Sequence, residues 1–219
     1  MITVYGRRTS ANVQLVVWTL EEIGLAYERL DYGHVHGGTD TPEYLAMNPM
    51  GLVPCLRDGD MVMFESAAIH RYLCARYASA PFWPDDPAVR APLDAWAEWV
   101  KSAFMPALLN GLFYPLIRMD PAEVTPQMIA AGEAAIAPLA RMLDARLGQV
   151  QRQGPWLAGA DFTFADILTG HGLYRYFDMP FTRPDLPNLA AYYDRLRSRP
   201  AYAEHVCVPY DSLKFNAEV

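Results

Sequence analysis

The chain has 219 residues, 52% of them hydrophobic, which is enough for one large domain or two small ones with buried cores. Its 25 acidic side chains outnumber 18 basic ones, so the net charge of -7 offers no basic surface and we expect no nucleic-acid partner. Three scattered cysteines suit a reducing compartment, and no uninterrupted apolar run of about 18 residues occurs, so we expect a cytoplasmic chain without a membrane partner.

The first third of the chain predicts a mixed sheet with helices on both faces. Apolar residues recur at strand or helix spacing in seven short segments, and turn residues separate these segments. The segments are a strand at 2–5, a helix at 11–24, a strand at 27–31, a helix at 42–47, strands at 53–57 and 61–64 around a DGD turn, and a helix from Ser66. The order βαβαββα is that of an α/β domain, whose end we place at residue 78.

The remainder of the chain predicts a second, all-helical domain. Residues 79–87 contain three prolines and two adjacent acids, which is typical of an interdomain linker. Helical periodicity then dominates residues 88–219. The predicted organisation is therefore 1–78, a linker at 79–87, and 88–219.

Prolines and hydroxyl residues predict where several of these helices end, bend or begin. In the first long helix we expect Pro106 to cause a kink and Pro115 to end the helix. Thr125 stands before a proline, which is typical of a helix start. The spacing of Thr163 and Asp166 is that of a capping box with Asp in place of Glu.

The motif NPMGLVPCL and the later FESAAI together predict a binding site for a small anionic peptide. Proline cannot donate to a sheet ladder, so Val53-Pro54 belongs at an edge, a bulge or a cis turn. An edge strand interrupted there would leave the backbone of Val53 free to pair with an extended ligand. Glu65 and Ser66 open the next helix, where free amides and the helix dipole favour a carboxylate.

These motifs, with the proline linker, the helical second half and the capping box, resemble those of a cytosolic glutathione S-transferase, most closely the serine-type bacterial members. The resemblance covers nearly the whole chain. It implies a thioredoxin-like first domain that binds glutathione, and a helical domain that supplies most of the pocket for a hydrophobic electrophile. It also implies a homodimer, and no metal.

The resemblance assigns roles to four residues of the two motifs. Pro54 would be cis, and the backbone of Val53 would pair with the cysteinyl part of glutathione. Glu65 and Ser66 would hold the γ-glutamyl end. These roles agree with the peptide-binding site predicted from the residues themselves.

The loop GRRTSAN between the first strand and the first helix is the predicted catalytic element. A thiol like that of cysteine has a pKa of about 8.5, and lowering it by about two units takes roughly 2.7 kcal/mol, which one charge-assisted hydrogen bond of about 1.5 to 3 kcal/mol can supply. Ser10 is the first candidate donor, Asn12 the second, and Thr9 the close competitor, because a shift of one residue exchanges Thr9 with Ser10. Ser10 and Thr9 could instead be simple helix caps. Tyr5 is the tyrosine-type alternative.

Two positions depart from the pattern of the family. Ser10 occupies the position where some members of the family carry a cysteine, so we do not expect a mixed disulfide between this protein and glutathione. Leu52 occupies a position that is polar in many relatives, which leaves His36 or Arg7 to contact the glycyl carboxylate. His34 and His36 lack a third ligand nearby, so we expect no metal.

The sequence therefore predicts a glutathione transferase that activates the thiolate for attack on a hydrophobic electrophile. Two alternatives stay open. One is a glutathione transferase-like binding or regulatory protein with little turnover, which Leu52 favours. The other is a glutathione-dependent peroxide or disulfide reductase.

Overall fold

A computed structural model describes residues 1–217 of the chain. Its first part is a four-stranded sheet flanked by three helices. In chain order the elements are β1 (Ile2–Tyr5), α1 (Ala11–Ile23), β2 (Tyr27–Leu30), α2 (Pro42–Met47), β3 (Cys55–Asp58), β4 (Met61–Phe64) and α3 (Ser66–Tyr77). The strand order is β2-β1-β3-β4, with β2 parallel to β1 and with β3 and β4 antiparallel to their neighbours. The predicted α/β unit βαβαββα is confirmed.

Helix α1 connects the sheet to the helical part of the molecule. One of its faces places Val13, Val16 and Leu20 in the core under the sheet. The opposite face carries Trp18, whose fully buried ring packs edge-on against that of Tyr202 at 4.8 Å between centroids. Because α1 is buried on both faces, the loop that precedes it is held between the two parts of the chain.

A long continuous helix, Pro87–Arg118, begins the helical part. It consists of α4 (Pro87–Trp99), a π-helical segment (Val100–Phe104), α5 (Met105–Leu108) and a second π-helical segment (Leu109–Arg118). By length and composition alone it could cross a membrane, but Phe104 and Leu108 are fully buried in the helical core.

The prediction that Pro115 ends this helix is wrong. Pro115 lies inside the second π-helical segment, and Pro106 is the second residue of α5, just after the first segment. A proline ring clashes with the carbonyl one α-turn back, and the wider π turn relieves that clash. The helix therefore continues past both prolines and carries Arg118 to its end.

Among residues 1–217, five further α-helices follow, and then a 3-10 helix at Asp211–Leu213: α6 (Pro126–Val150), α7 (Phe164–Gly170), α8 (Leu173–Asp178), α9 (Pro187–Arg197) and α10 (Pro200–His205). The predicted start of α6 is confirmed, since the Thr125 side chain accepts a hydrogen bond from the Met128 N–H. The predicted capping box of α7 is confirmed as well: the Thr163 N–H donates to Asp166 Oδ2 at 2.8 Å.

Residues 78–86, between α3 and α4, contain neither helix nor strand, as expected for a linker. The segment is nevertheless packed. The Phe82 carbonyl accepts a hydrogen bond from the Phe164 N–H at 3.0 Å, and the rings of Phe82 and Trp83 pack against the helical core. The domain limits 1–78, 79–87 and 88–219 stay a prediction.

Candidate active site

The loop between β1 and α1 places Ser10 at the N-terminal end of α1. Ser10 has extended backbone angles (φ -83°, ψ 123°), and within residues 1–217 its side chain makes no helix-capping hydrogen bond. It is only 8% exposed and lies in the wall of a cleft of about 310 Å³, a size that suits a small ligand. Its hydroxyl is therefore available to a ligand, and the simple-cap alternative has no support here.

Neither of the two other hydroxyl candidates is among the described residues that line this cleft, although Thr9 and Ser10 both line a smaller neighbouring cavity. The Thr9 carbonyl accepts a hydrogen bond from Arg175 Nη2 at 2.7 Å, and Thr9 is absent from the described residues that line the 310 Å³ cleft. The Tyr5 ring packs edge-on against Tyr32 at 5.4 Å between centroids, also away from that cleft wall. Of the three, only Ser10 lines the cleft.

Asn12 is held by side chains from two other helices. Its Oδ1 accepts a hydrogen bond from Lys101 Nζ at 2.6 Å and a second from the Ser66 hydroxyl at 3.2 Å. Lys101 Nζ also donates to Ser66 Oγ at 3.0 Å. An ammonium and a hydroxyl proton both need an acceptor, so the amide must turn its oxygen to them and its Nδ2 away.

Lys101 comes from the first π-helical segment of the long helix and was missed in the sequence analysis. Burial lowers the pKa of its ammonium, and the nearby Glu65 and Glu98 carboxylates act in the opposite direction. The only charged side chain between Trp99 and Ile117 is Lys101, in an otherwise apolar or neutral stretch. That isolation was the signal that could have identified it.

The peptide bond between Val53 and Pro54 is cis, as the resemblance implies. The prediction that Val53 and Pro54 belong to an edge strand is wrong. Strand β3 lies in the interior of the sheet, between β1 and β4, and begins only at Cys55. Among residues 1–217 the Val53 N–H and C=O have no hydrogen-bond partner, because the first ladder pair, Tyr5 with Cys55, comes after Pro54. The backbone of Val53 is free for this reason and not because the strand is at an edge.

Residues next to Val53 fix the position of this backbone. The Leu52 carbonyl accepts hydrogen bonds from the Tyr44 hydroxyl and from Asn48 Nδ2, both at 2.7 Å. The Leu52 side chain is 60% exposed and lines the cleft without offering a polar group.

Glu65 and Ser66 stand at the start of α3. Glu65 is exposed and has left-handed backbone angles (φ 68°, ψ 105°), which cost a residue other than glycine about 1 to 3 kcal/mol and concentrate at functional sites. Ser66 is buried and contacts Asn12 and Lys101. The pair adjoins the Asn12 end of the cleft but is not among the described residues that line it.

His36 does not line the cleft, in contrast to its predicted contact with the ligand. In the short 3-10 helix His34–His36 its ring points to the Asp31 carboxylate, 3.8 Å away, while His34 lines the cleft. Arg7, the other candidate, and Arg118, from the end of the long helix, also line the cleft. Burial lowers the pKa of Arg7, and Arg118 lowers it further.

Comparison with known proteins agrees with this fold and cleft. Residues 4–81 match the model of the glutathione S-transferase N-terminal domain, and residues 104–200 that of the C-terminal domain. The chain is 38% identical to the Escherichia coli glutathione S-transferase GstB, over 95% of this chain and 99% of GstB. A theta class glutathione S-transferase from Xanthomonas axonopodis pv. citri, solved with glutathione bound, superposes with a TM-score of 0.85 at 42% identity, over 95% of this chain and 98% of that one. The chain therefore belongs to the glutathione S-transferase family of enzymes.

Proposed function

We propose that the cleft binds glutathione with its thiol beside Ser10, and that the thiolate attacks an electrophilic carbon of a second substrate. The observation that carries this proposal is that the buried Ser10 hydroxyl, which caps no helix in the described part of the chain, lines the same cleft as the unpaired backbone of Val53. A single hydrogen bond to a thiolate is sufficient to shift the thiol pKa by one to two units, at about 1.5 to 3 kcal/mol.

Glutathione would lie along the cleft from the start of α3 to the loop after β2. Its γ-glutamyl end would bind at Glu65 and Ser66, and its cysteinyl backbone would pair with Val53. Its glycyl carboxylate would reach Arg7. His34 is the weaker partner for that carboxylate, because burial and the neighbouring Arg118 and Arg7 lower the pKa of its ring and leave it neutral at pH 7.

Asn12 would be the second donor to the thiolate, and Lys101 would be its positioning residue. Since Lys101 and Ser66 hold the amide oxygen, Asn12 Nδ2 is the group left to face the cleft. The Lys101 charge would also favour the thiolate over the thiol.

Replacing Lys101 by Met tests this positioning role. In Lys101→Met we expect the pKa of the bound glutathione thiol to rise by about 0.5 to 1 unit, because one charge-assisted contact to Asn12 and one nearby positive charge are lost. Titrating the ultraviolet absorbance of the bound thiolate measures the pKa. The chain has one other lysine, Lys214, whose Nζ donates to Asp211, and Lys214→Met is the matched control, with no expected change. Equal thiol pKa values in the two variants would contradict the role.

The transferase is better supported than either alternative. Arg7 lines the cleft on the side where Leu52 offers no polar group, so glutathione has a cationic contact there. Mixed-disulfide chemistry needs an accessible protein thiolate, whereas burial raises the pKa of Cys55, Cys74 and Cys207, and none of them is among the described residues that line the cleft. A peroxide or disulfide reductase would use the same glutathione thiolate beside Ser10, and the transferase is preferred to it because of the 38% identity to a glutathione S-transferase.

We also propose a homodimer in the reducing cytoplasm. A dimer contact could cover Phe64, an exposed apolar side chain at the end of the edge strand β4, and light scattering measures the mass in solution.

Calorimetry with glutathione tests the proposed function directly. We expect saturable binding at millimolar or lower concentration, and a bound thiol whose pKa lies about one to two units below that of free glutathione. Binding with an unshifted thiol pKa would favour the binding-protein alternative. If no binding occurs at millimolar glutathione, the proposal is wrong.

A further inference from the structure

Three arginines meet at a second, smaller cavity that shares the Ser10 wall with the glutathione cleft. Arg7, Arg118 and Arg175 line this cavity of about 70 Å³ together with Ser10 and the apolar Leu109 and Phe113 of the long helix. No acidic side chain is among its described lining residues, although the chain has more acids than bases. The cavity lies on the helical side of Ser10, and the Gly33 and Val53 loops line only the larger cleft.

None of these three arginines pairs with a carboxylate within residues 1–217, where the arginine ion pairs involve other positions. Arg175 is only 2% exposed. Its Nη1 donates to Gln14 Oε1 at 3.0 Å and its Nη2 to the Thr9 carbonyl, but its buried Nε has no partner in the described part of the chain. The Nε of Arg7 is buried and unpartnered in the same way.

Placing these charges together is costly in the absence of an anion. Burial lowers the pKa of Arg175 to about 10, and the charge of Arg7 contributes to that shift. A guanidinium stays charged at pH 7 even so, and buried charges without counterions destabilise the fold unless a ligand neutralises them. A carboxylate matches the fork of a guanidinium in size and geometry.

We propose that the second substrate is a small electrophile that carries a carboxylate, which binds at Arg118 and Arg175 while the reactive carbon faces the thiolate beside Ser10. This inference rests on the proposed function, because the larger cleft must already hold glutathione. The glutathione carboxylates are assigned to α3 and to Arg7, so the anion at Arg118 and Arg175 belongs to the second substrate. The prediction of a hydrophobic electrophile changes accordingly: the substrate carries a charge, and Leu109 and Phe113 contact its carbon skeleton.

Iodoacetate and iodoacetamide provide a matched pair of probes, since they differ in charge and little in size. With either, the thiolate sulfur forms a bond to the methylene carbon, the carbon–iodine bond breaks, and iodide leaves with its electron pair. For each probe, kcat/KM is divided by the rate constant of the uncatalysed reaction with glutathione. We expect this ratio to be about tenfold or more higher for iodoacetate than for iodoacetamide, which is the effect of one charge-assisted hydrogen bond. Chromatography of the glutathione adduct measures the rate.

Arg118→Met is the diagnostic variant, because Arg118 is half-buried and its loss leaves no cavity deep in the core. We expect it to lower the ratio of the iodoacetate value to the iodoacetamide value about tenfold or more. Arg118→Lys should retain part of the preference. The control is Arg197→Met, which removes an arginine placed over Tyr193 at 5.7 Å, much as Arg118 lies over Tyr114 at 5.6 Å.

The outcomes separate this inference from the proposed function. Calorimetry that shows no glutathione binding overturns both. Normal glutathione binding with no preference for iodoacetate in the wild-type protein overturns the carboxylate inference alone. If Arg118→Met weakens glutathione binding and slows both probes equally, the arginine holds glutathione itself and the inference is wrong.

Discussion

In Ser10→Ala, the pKa of the bound glutathione thiol is expected to rise by about one to two units, and kcat/KM at pH 7 to fall about 10- to 100-fold. The reason is that the buried Ser10 hydroxyl lines the cleft, caps no helix within residues 1–217 and can donate a hydrogen bond to the thiolate. One such bond contributes about 1.5 to 3 kcal/mol. Because the hydroxyl stabilises the ionised form, the loss should shrink as the pH rises above the thiol pKa. Glutathione affinity should change little at low pH, where the thiol is neutral in both proteins.

Three variants make this expectation specific. Ser102→Ala is the matched control, since that exposed hydroxyl donates to the Glu98 carbonyl and lies next to Lys101 without lining the cleft. Thr9→Ala tests the close competitor, whose carbonyl and not its hydroxyl contacts Arg175. Asn12→Ala removes the second donor. A thiol pKa that rises in Thr9→Ala and stays constant in Ser10→Ala would transfer the donor role to Thr9.

The parts of the fold that depend on local chemistry could be predicted from the sequence. Helix α2 and strand β4 have the predicted limits, and the capping box of α7 forms as its spacing indicates. The end of the long helix could not be predicted, because the effect of Pro115 depends on whether the helix widens around it, and packing in the core decides that.

The candidate site divides in the same way. The first-domain motifs identified Ser10 and Val53, which the structure brings to one cleft. Lys101 reaches Asn12 in the first turn of α1, and Arg175 reaches Thr9 in the preceding loop, from 89 and 166 residues further along the chain. Only tertiary packing brings them there. His34 lines the cleft in place of the predicted His36, because a 3-10 turn between glycines with positive φ sets which ring faces the cleft. Hydrophobic periodicity in the sequence does not predict the conformation of such a turn.

Among the substitutions proposed here, we expect the largest loss of stability at the capping box of α7. Asp166 is fully buried, and four donors converge on its carboxylate: the Leu157 N–H and the Tyr192 hydroxyl on Oδ1, both at 2.9 Å, and the Thr163 N–H and hydroxyl on Oδ2, at 2.8 and 3.1 Å. Burial raises the pKa of Asp166, and these hydrogen bonds oppose that rise. The carboxylate thus joins the start of α7 to the loop at Leu157 and to α9.

In Asp166→Ala we expect the free energy of unfolding to fall by about 3 to 5 kcal/mol. Each buried donor left without an acceptor costs about 1 to 3 kcal/mol, and the costs are not additive because neighbouring groups share any relaxation. Urea denaturation followed by circular dichroism measures the change. Asp194→Ala is the control: Asp194 is an exposed acid of α9 whose contact with Arg197 is 3.8 Å long, and surface pairs contribute about 0 to 1 kcal/mol.

We expect Asp166→Ala to affect the active site only through unfolding of the protein, and therefore only near or above the temperature of the unfolding midpoint. Helix α7 packs against α1 and against the π-helical segment that carries Lys101. Well below the unfolding midpoint, we expect the thiol pKa of bound glutathione to stay within about 0.3 unit of the wild-type value, since Asp166 contributes to the fold and not to the thiolate. A shift as large as that of Ser10→Ala would instead show that the fixed end of α7 sets the position of Lys101, and that the capping box belongs to the catalytic arrangement.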